Sequence, residues 1–333
     1  MHAKDKMEMK NSNWLITGGC GFIGTNVISH LSQHTHAAIR VIDSFVVGTP
    51  DDLGNVCSFE RAERPTKFRP NHVELIQGDI RDLDLAMAAA EGANVILHLA
   101  ANTGVGPSVE APMDDCLNNV IGTVNYLEAA RLKSVDQFIF ASSGAPVGEC
   151  QPPIHEELPP HPVSPYGASK LAGEGYCSAY WNSFGIKTVA LRFGNVYGPG
   201  STHKASVVAK FIKLALQNEP CAIYGDGSQT RDFIFIDDLV EAIMLSSQIE
   251  AGGEAFQIAT NKEHSVLEIA ELIEKQLEQI ANIQPQFIHE EARIGDVTRN
   301  YSDTSKAKNV LGWEAKYNVN EGLEKTIKYF LNE

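Results

Sequence analysis

The sequence predicts an α/β fold, a doubly wound parallel sheet followed by a smaller C-terminal α/β region, on three observations. Short β-branched runs alternate with longer stretches of helical period, as they do where crossover helices join the strands of a parallel sheet. The first run passes straight into a glycine turn and a helix-like stretch, in WLITGGCGFIGTNVISHL at 14–31. After about residue 194 the rhythm changes to Gly-rich loops, GNVYGPGS and YGDGSQTRD, set between amphipathic helices.

In chain order the expected strands are WLIT (14–17), IRVID (39–43), VELIQGD (73–79), NVILHLA (94–100), QFIFASS (137–143) and KTVALRF (187–193). Helices are expected near 22–34, 81–91, 113–133 and 166–184, and later at 205–218, 237–248, 266–281 and 320–332. This order places ligands beyond the C-terminal ends of the strands. The chain divides into a polar tail (1–13), a sheet domain (14–194) and a C-terminal ligand-binding region (195–333). RDFIFIDD (231–238) and AFQIA (255–259) read as strands, so that 231–259 is expected to return to the first domain.

At 333 residues and 43% apolar content, the chain can bury a large core. Its formal charge of −15 and lack of a basic run argue against a nucleic-acid or membrane-surface partner. An acidic chain binds an anion only where a few arginines converge or a helix N-terminus points at it. The cysteines, Cys20, Cys57, Cys116, Cys150, Cys177 and Cys221, are scattered without a CxxC pair, as suits reduced thiols. The first thirteen residues lack the apolar segment of a signal peptide, and no run approaches the ~18 residues of a membrane span. A cytoplasmic protein is expected. The eleven histidines form no metal-binding pattern, and no metal is assigned.

The turn reads GxxGxxG, with Gly18 for the tight turn, Gly21 for close approach of a pyrophosphate and Gly24 for close helix packing; Phe22 and Ile23 lie between. Asp43 ends the second strand 19 residues beyond Gly24, where a carboxylate accepts from both ribose hydroxyls of an adenosine and repels a 2′-phosphate. The reading is a Rossmann-type domain that binds NAD rather than NADP. Asp79 and Ile80, in GDIRD, end the third strand where the adenine would lie. Leu99, Ala100 and Ala101, in HLAA, end the fourth with small residues beside the cofactor.

Tyr166 and Lys170, in SPYGASK, are four apart and share one face of a helix that Pro165 opens. An adjacent lysine and a bound oxidised nicotinamide favour the phenolate, so Tyr166 can take a proton from a sugar hydroxyl. YxxxK alone is a common helix pattern, but here it follows the fifth strand's Ser142 and Ser143 in a chain with the glycine turn. With these residues the chain resembles an extended short-chain dehydrogenase/reductase, more narrowly the NAD-dependent epimerase/dehydratase group acting on nucleotide sugars. The matching stretches are TGGCGFIG, HLAA, LNNVIGT, FASS, YGASK, RFGNVYGPG, YGDGSQTRDFIFIDDL and RIGDVTRNYSDTSKAKNVLGW, which together run along the chain after residue 13.

The resemblance implies that Ser143 binds the reacting oxygen, with Ser142 and Asn119 beside the nicotinamide. It implies that Asn195, Arg231 and Arg293 contact phosphate or ribose, that Tyr224 stacks on a nucleobase, that Asp296 meets the ribose, and that the protein is a homodimer. Thr103 is a further candidate sugar contact. An arginine fork suits a diphosphate.

Three chemistries share this scaffold. In the 4,6-dehydratases an Asp-Glu pair follows the catalytic threonine, and UDP-glucuronate decarboxylases typically carry a glutamate at the second of these positions. Here the two positions are Gly144 and Ala145, which do no acid/base work. The expectation is a UDP-sugar 4-epimerase working through a 4-keto intermediate, with dehydratase or decarboxylase as the alternative. A non-catalytic NAD-binding sensor or scaffold is a further reading, though both Tyr166 and Lys170 are present. The family's usual Val-Tyr-Gly is replaced by Pro146-Val147-Gly148, and the sugar, whether hexose, N-acetylhexosamine or uronate, is left open.

Overall fold

In the first strand Trp14 and Ile16 enter one hydrophobic core and Leu15 enters another, the pattern of a strand covered by helices on both faces. The computed structural model describes residues 12–204, 206–292 and 298–332. Its strands are β1 (Asn13–Thr17), β2 (Ala38–Asp43), β3 (Glu60–Arg61), β4 (His72–Gln77), β5 (Val95–His98), β6 (Gln137–Ser143) and β7 (Lys187–Phe193). Then come β8 (Asn195–Tyr197), β9 (Cys221–Tyr224), β10 (Thr230–Arg231), β11 (Phe233–Phe235), β12 (Glu254–Ile258), β13 (His264–Ser265) and β14 (Phe287–Glu290). The helices are α1 (Phe22–His34), α2 (Pro50–Gly54), α3 (Leu83–Ala89), α4 (Val105–Glu110), α5 (Pro112–Cys116) and α6 (Gly122–Leu132). They continue with α7 (Pro165–Phe184), α8 (Val207–Leu216), α9 (Ile236–Ser246), α10 (Val266–Ala281) and α11 (Val319–Leu331).

Eight strands form one parallel sheet in the order β12-β7-β6-β5-β1-β2-β4-β3. The order reverses between β1 and β5, whose ends meet in register at Thr17 and His98, so the switch-point crevice opens there. Residues of α1, α8 and α9 fill the core on one face, and Tyr126, Leu127, Cys177 and Tyr180 of α6 and α7 fill the other. One edge of the sheet is β3, two exposed charged residues. At the other edge β12 pairs with β7, and the short π-helical turn Ala307–Leu311 packs against it. Phe233–Phe235, in contrast, pairs with β8 outside the large sheet.

The stretch expected as one helix at 113–133 is α5 and α6 joined through a π-helical turn, Leu117–Ile121. A π turn widens the helix by one residue per turn and re-aims the side chains within it, commonly at functional sites. The long helix α7 starts where Ser164 Oγ accepts from Gly167 N, with Pro165 in the first turn, and stops at Gly185 in the left-handed conformation. Tyr166 is thereby fixed at the helix's opening turn. Among the described residues no helix is long and apolar enough to cross a membrane, and no group of three or more His, Cys, Asp or Glu could hold a metal ion.

Candidate active site

The glycine turn lies against the end of β5. Leu99 N donates to Thr17 O at 3.2 Å and Ala100 N to Thr17 Oγ1 at 3.2 Å. Gly18 has φ +70°, and a Cβ there would sit 2.9 Å from Ala100 N; at Gly24 it would sit 2.6 Å from Gly18 O. Gly21 caps the N-terminus of α1 with no side chain over the turn, and Phe22 and Ile23 open the helix half-buried. Asp43, nearly buried at the end of β2, is aimed by backbone donors: Oδ2 accepts from Cys20 N and Oδ1 from Phe45 N, both at 2.9 Å. Burial pushes its carboxyl above the usual value, against the N–H groups of Phe45, Cys20 and Ser44. A helix N-terminus behind a turn that admits no side chain, with an oriented carboxylate at the next strand end, fits a dinucleotide with a free ribose diol. Asp79 is half-buried at the same edge and ion-paired with Arg81, while Ile80 is buried beneath Gly122.

Tyr166 and Lys170 sit one turn apart at the start of α7. Lys170 is buried, donates from Nζ to Ala141 O at 2.9 Å, and lies 4.9 Å from the Phe140 ring centroid. Burial pushes its amine down to about 8, opposed by the carboxylates of Asp115 and Glu174. The sequence reading has the Tyr166 phenol drawn down by this lysine. Instead burial holds it above its ordinary value, with a hydrogen bond to Ser143 opposing and Asp115 adding to the rise. The reason is geometric: the ammonium is turned to Ala141 O and stands 5.9 Å from the Tyr166 ring centroid. Ser143 Oγ also accepts from Ala145 N at 3.2 Å.

The side chains of two residues expected beside the cofactor, Ser142 and Asn119, hydrogen-bond within the protein. Strand alternation puts Ser142 on the face of Phe138 and Phe140, beneath α7, where its hydroxyl donates to Glu174 Oε1 at 2.5 Å. That carboxylate is also held by Arg192 Nε at 2.8 Å and Nη2 at 2.7 Å. Asn119 is turned inward by the π-helical stretch and buried. Its Oδ1 accepts from Asn102 N at 2.8 Å, and its Nδ2 donates to Asn102 O at 2.9 Å, Asp115 Oδ1 at 3.0 Å and Ser169 Oγ at 3.1 Å. Asn119 therefore ties the loop after β5 to α7 and sets the backbone around the site.

Asn195, Tyr224 and Arg231 line one cavity of about 210 Å³, together with Val207 and Lys210 of α8. Lys210 Nζ lies 6.0 Å from the Tyr224 ring centroid, and Arg231 Nη1 donates to Thr230 O at 2.7 Å. The floor is tied down by Asp232, which accepts from Thr260, Asn261 and Ser302 and whose carbonyl accepts from Asn195 N at 2.8 Å. Thr103 is exposed on the loop after β5, and Arg293 and Asp296 lie outside the described residues. Sequence reasoning missed Asp115, Glu174, Arg192, Lys210 and Asp232. Only Glu174 carried a local signal, four residues beyond Lys170 on the same helix face.

A doubly wound dinucleotide fold with a Ser-Tyr-Lys group beside the switch point, at the end of the next strand, and a separate cationic cavity defines a nucleotide-cofactor enzyme of the short-chain dehydrogenase type. The chain belongs to the NAD dependent epimerase/dehydratase family, whose model matches residues 14–259. It is 37% identical over 326 residues, 96% of this chain and 98% of that protein, to a UDP-glucose 4-epimerase of Mycolicibacterium smegmatis. Its structure is similar to that of a Thermotoga maritima UDP-glucose 4-epimerase solved with UDP-glucose (TM-score 0.85, 32% identity, 96% of this chain and 99% of that one). It is also similar to a UDP-N-acetylglucosamine 4-epimerase of Methanobrevibacter ruminantium in complex with UDP-N-acetylmuramic acid (TM-score 0.85, 29% identity, 97% and 99%).

Proposed function

We propose that this chain is an NAD-dependent UDP-sugar 4-epimerase that oxidises C4 of its substrate and reduces the 4-keto sugar from the opposite face. The observation that carries the reading is the space beside Ser143. A side chain at Gly144 would meet no atom within 4 Å, and neither Gly144 nor Ala145 can serve as the second acid or base of a dehydratase. NAD bound at the glycine turn supplies reversible hydride acceptance and a positive charge when oxidised. Tyr166 takes the proton from the C4 hydroxyl and Ser143 binds that oxygen; the Lys170 ammonium, hydrogen-bonded to Ala141 O, acts on the phenolate only as a positive charge 5.9 Å from the Tyr166 ring centroid. Asn195 and Arg231, with Arg293 and Asp296 by resemblance, hold the diphosphate and ribose, and Tyr224 lies against the base. Thr103 borders the sugar.

The protein acts as a cytoplasmic homodimer in this reading. Support for the dimer comes from Met113, Leu117 and Ile121, exposed apolar residues spaced by four, with Tyr176 of α7 also exposed. The deciding experiment offers UDP-glucose, UDP-N-acetylglucosamine and UDP-glucuronate to the pure protein without added cofactor. The expected product is an isomer of identical mass, formed ~10²–10⁴-fold more slowly by Tyr166→Phe. A principal product lighter by water or carbon dioxide overturns the reading.

A further inference from the structure

Behind Tyr166 and Lys170 lies a carboxylate to which the reaction above gives no task. Asp115, in α5, is 2% exposed. Its Oδ1 accepts from Asn119 Nδ2 one turn further on, at 3.0 Å, and Asn119 reaches Ser169, the neighbour of Lys170. Its Oδ2 is buried and has no hydrogen-bond partner among the described residues. A bare carboxylate oxygen in a protein interior is costly unless a positive charge stands near it. The helix bearing Asp115 packs on α7, where Lys170 is buried with a neutral carbonyl as its hydrogen-bond partner.

The groups facing Lys170 leave one counter-charge. From α7 itself come Tyr166 and Glu174, from β5 His98, from β6 the Phe140 ring, and from α5 Asp115. Glu174 is spent on Arg192 and Ser142. His98 is neutral, since burial, with Lys170 adding, pushes it down to about 3. Among the carboxylates that oppose the effect of burial on Lys170, Asp115 is the stronger.

We propose that Asp115 is the buried counter-charge of the Tyr166–Lys170 pair, a positioning residue that keeps the Lys170 ammonium charged through Oδ2 and holds Asn119 through Oδ1. The proposal rests on the epimerase reading for the roles of Tyr166 and Lys170, but not for its test. Without the Asp115 charge the ammonium loses a favourable neighbour, and the amine pKa falls. The phenolate loses an unfavourable one, so the Tyr166 pKa falls too. Both limbs of a pH profile therefore move to lower pH.

The primary test needs no substrate. In protein labelled at the lysine ε-carbons, with the Lys170 signal assigned from Lys170→Arg, the midpoint of its titration is followed by NMR in wild type, Asp115→Asn and Asp115→Glu. Wild type is expected to titrate near 8. The Asn variant should titrate about one pH unit lower and the Glu variant close to wild type. The kcat/KM profile of Asp115→Asn should move acid-ward with it, whereas a purely structural loss would lower the curve without moving it. If Asp115→Asn does not fold, Asp115→Ser, which keeps an acceptor for Asn119 without the charge, takes its place. An unchanged Lys170 midpoint in the folded variant overturns the proposal, and failure of the epimerase reading would leave the midpoint shift intact.

Discussion

Substituting Asp232 by asparagine tests whether one buried carboxylate holds together the cavity lined by Asn195, Tyr224 and Arg231, where the proposal places the nucleotide sugar. Oδ1 accepts from Thr260 N at 2.7 Å and Thr260 Oγ1 at 2.6 Å, while Oδ2 accepts from Asn261 N at 3.0 Å and Ser302 N at 3.3 Å. The residue is 1% exposed, so water cannot stand in. An asparagine keeps one acceptor oxygen and turns its NH₂ onto the other two groups. With the NH₂ toward Asn261 N and Ser302 N both donors are left unsatisfied; with it toward Thr260 the hydroxyl accepts from it and only Thr260 N is left, so at ~1–3 kcal/mol for each buried donor the loss of stability is at least about 1–3 kcal/mol. The damage should be local in function. Arg231 and Asn195 flank this junction, so affinity for the UDP-sugar should fall, while the glycine turn, built on β1 and α1, should hold NAD as before. Denaturant unfolding and calorimetric titration with UDP-sugar and with NAD measure the three quantities. A loss below about 0.5 kcal/mol, the size of an ordinary surface substitution, with unchanged UDP-sugar affinity would refute the reasoning.

The cofactor cradle makes two further predictions. Gly18→Ala places a methyl group 2.9 Å from Ala100 N in a left-handed conformation. It should cost about 1–2 kcal/mol from conformation alone and weaken NAD binding at least tenfold, read by thermal melting and fluorescence titration; wild-type values in both would show that the turn is not a tight cradle. Asp43→Ala should narrow the preference for NAD over NADP, measured by calorimetry on cofactor-stripped protein, and equal affinity of the wild type for both cofactors would remove Asp43 from the ribose site.

Where period and punctuation coincide, elements were legible to the residue. β6, β7, α1 and α10 fall on the expected bounds, and α10 shows why: Ser265 accepts from Glu268 N at its start and Asn282 is left-handed at its end. The helix over 113–133 was visible from its period, but not the π-helical turn inside it, which places Asn119 against partners at 102 and 169. Tyr166, Lys170 and Ser143 were legible as a group. The direction of the Ser142 side chain was not legible, because β6 is buried on both faces and gives no polar alternation to set its phase. Asp115 and Asp232 look in the sequence like any other carboxylates. Their meaning lies in Lys170 and Tyr166, and in Thr260 and Ser302, which folding alone brings near. The raised Tyr166 pKa has the same origin, since burial is a property of the packed site and not of the spacing YxxxK.

The ends of the sheet govern how this molecule can meet its neighbours. An open strand edge is a template, with unpaired N–H and C=O groups ready to capture a strand from another chain. Here β3 offers only Glu60 and Arg61, both exposed and charged, too short a run to nucleate pairing. At the far edge Glu254 of β12 is ion-paired with Lys306 at 2.7 Å, and the turn that follows Lys306 lies alongside the strand. Neither margin invites growth of the sheet from molecule to molecule. As far as the large sheet is concerned, copies crowded together are left to meet through other surfaces, helix faces among them, which can associate and separate without either chain giving up a backbone hydrogen bond.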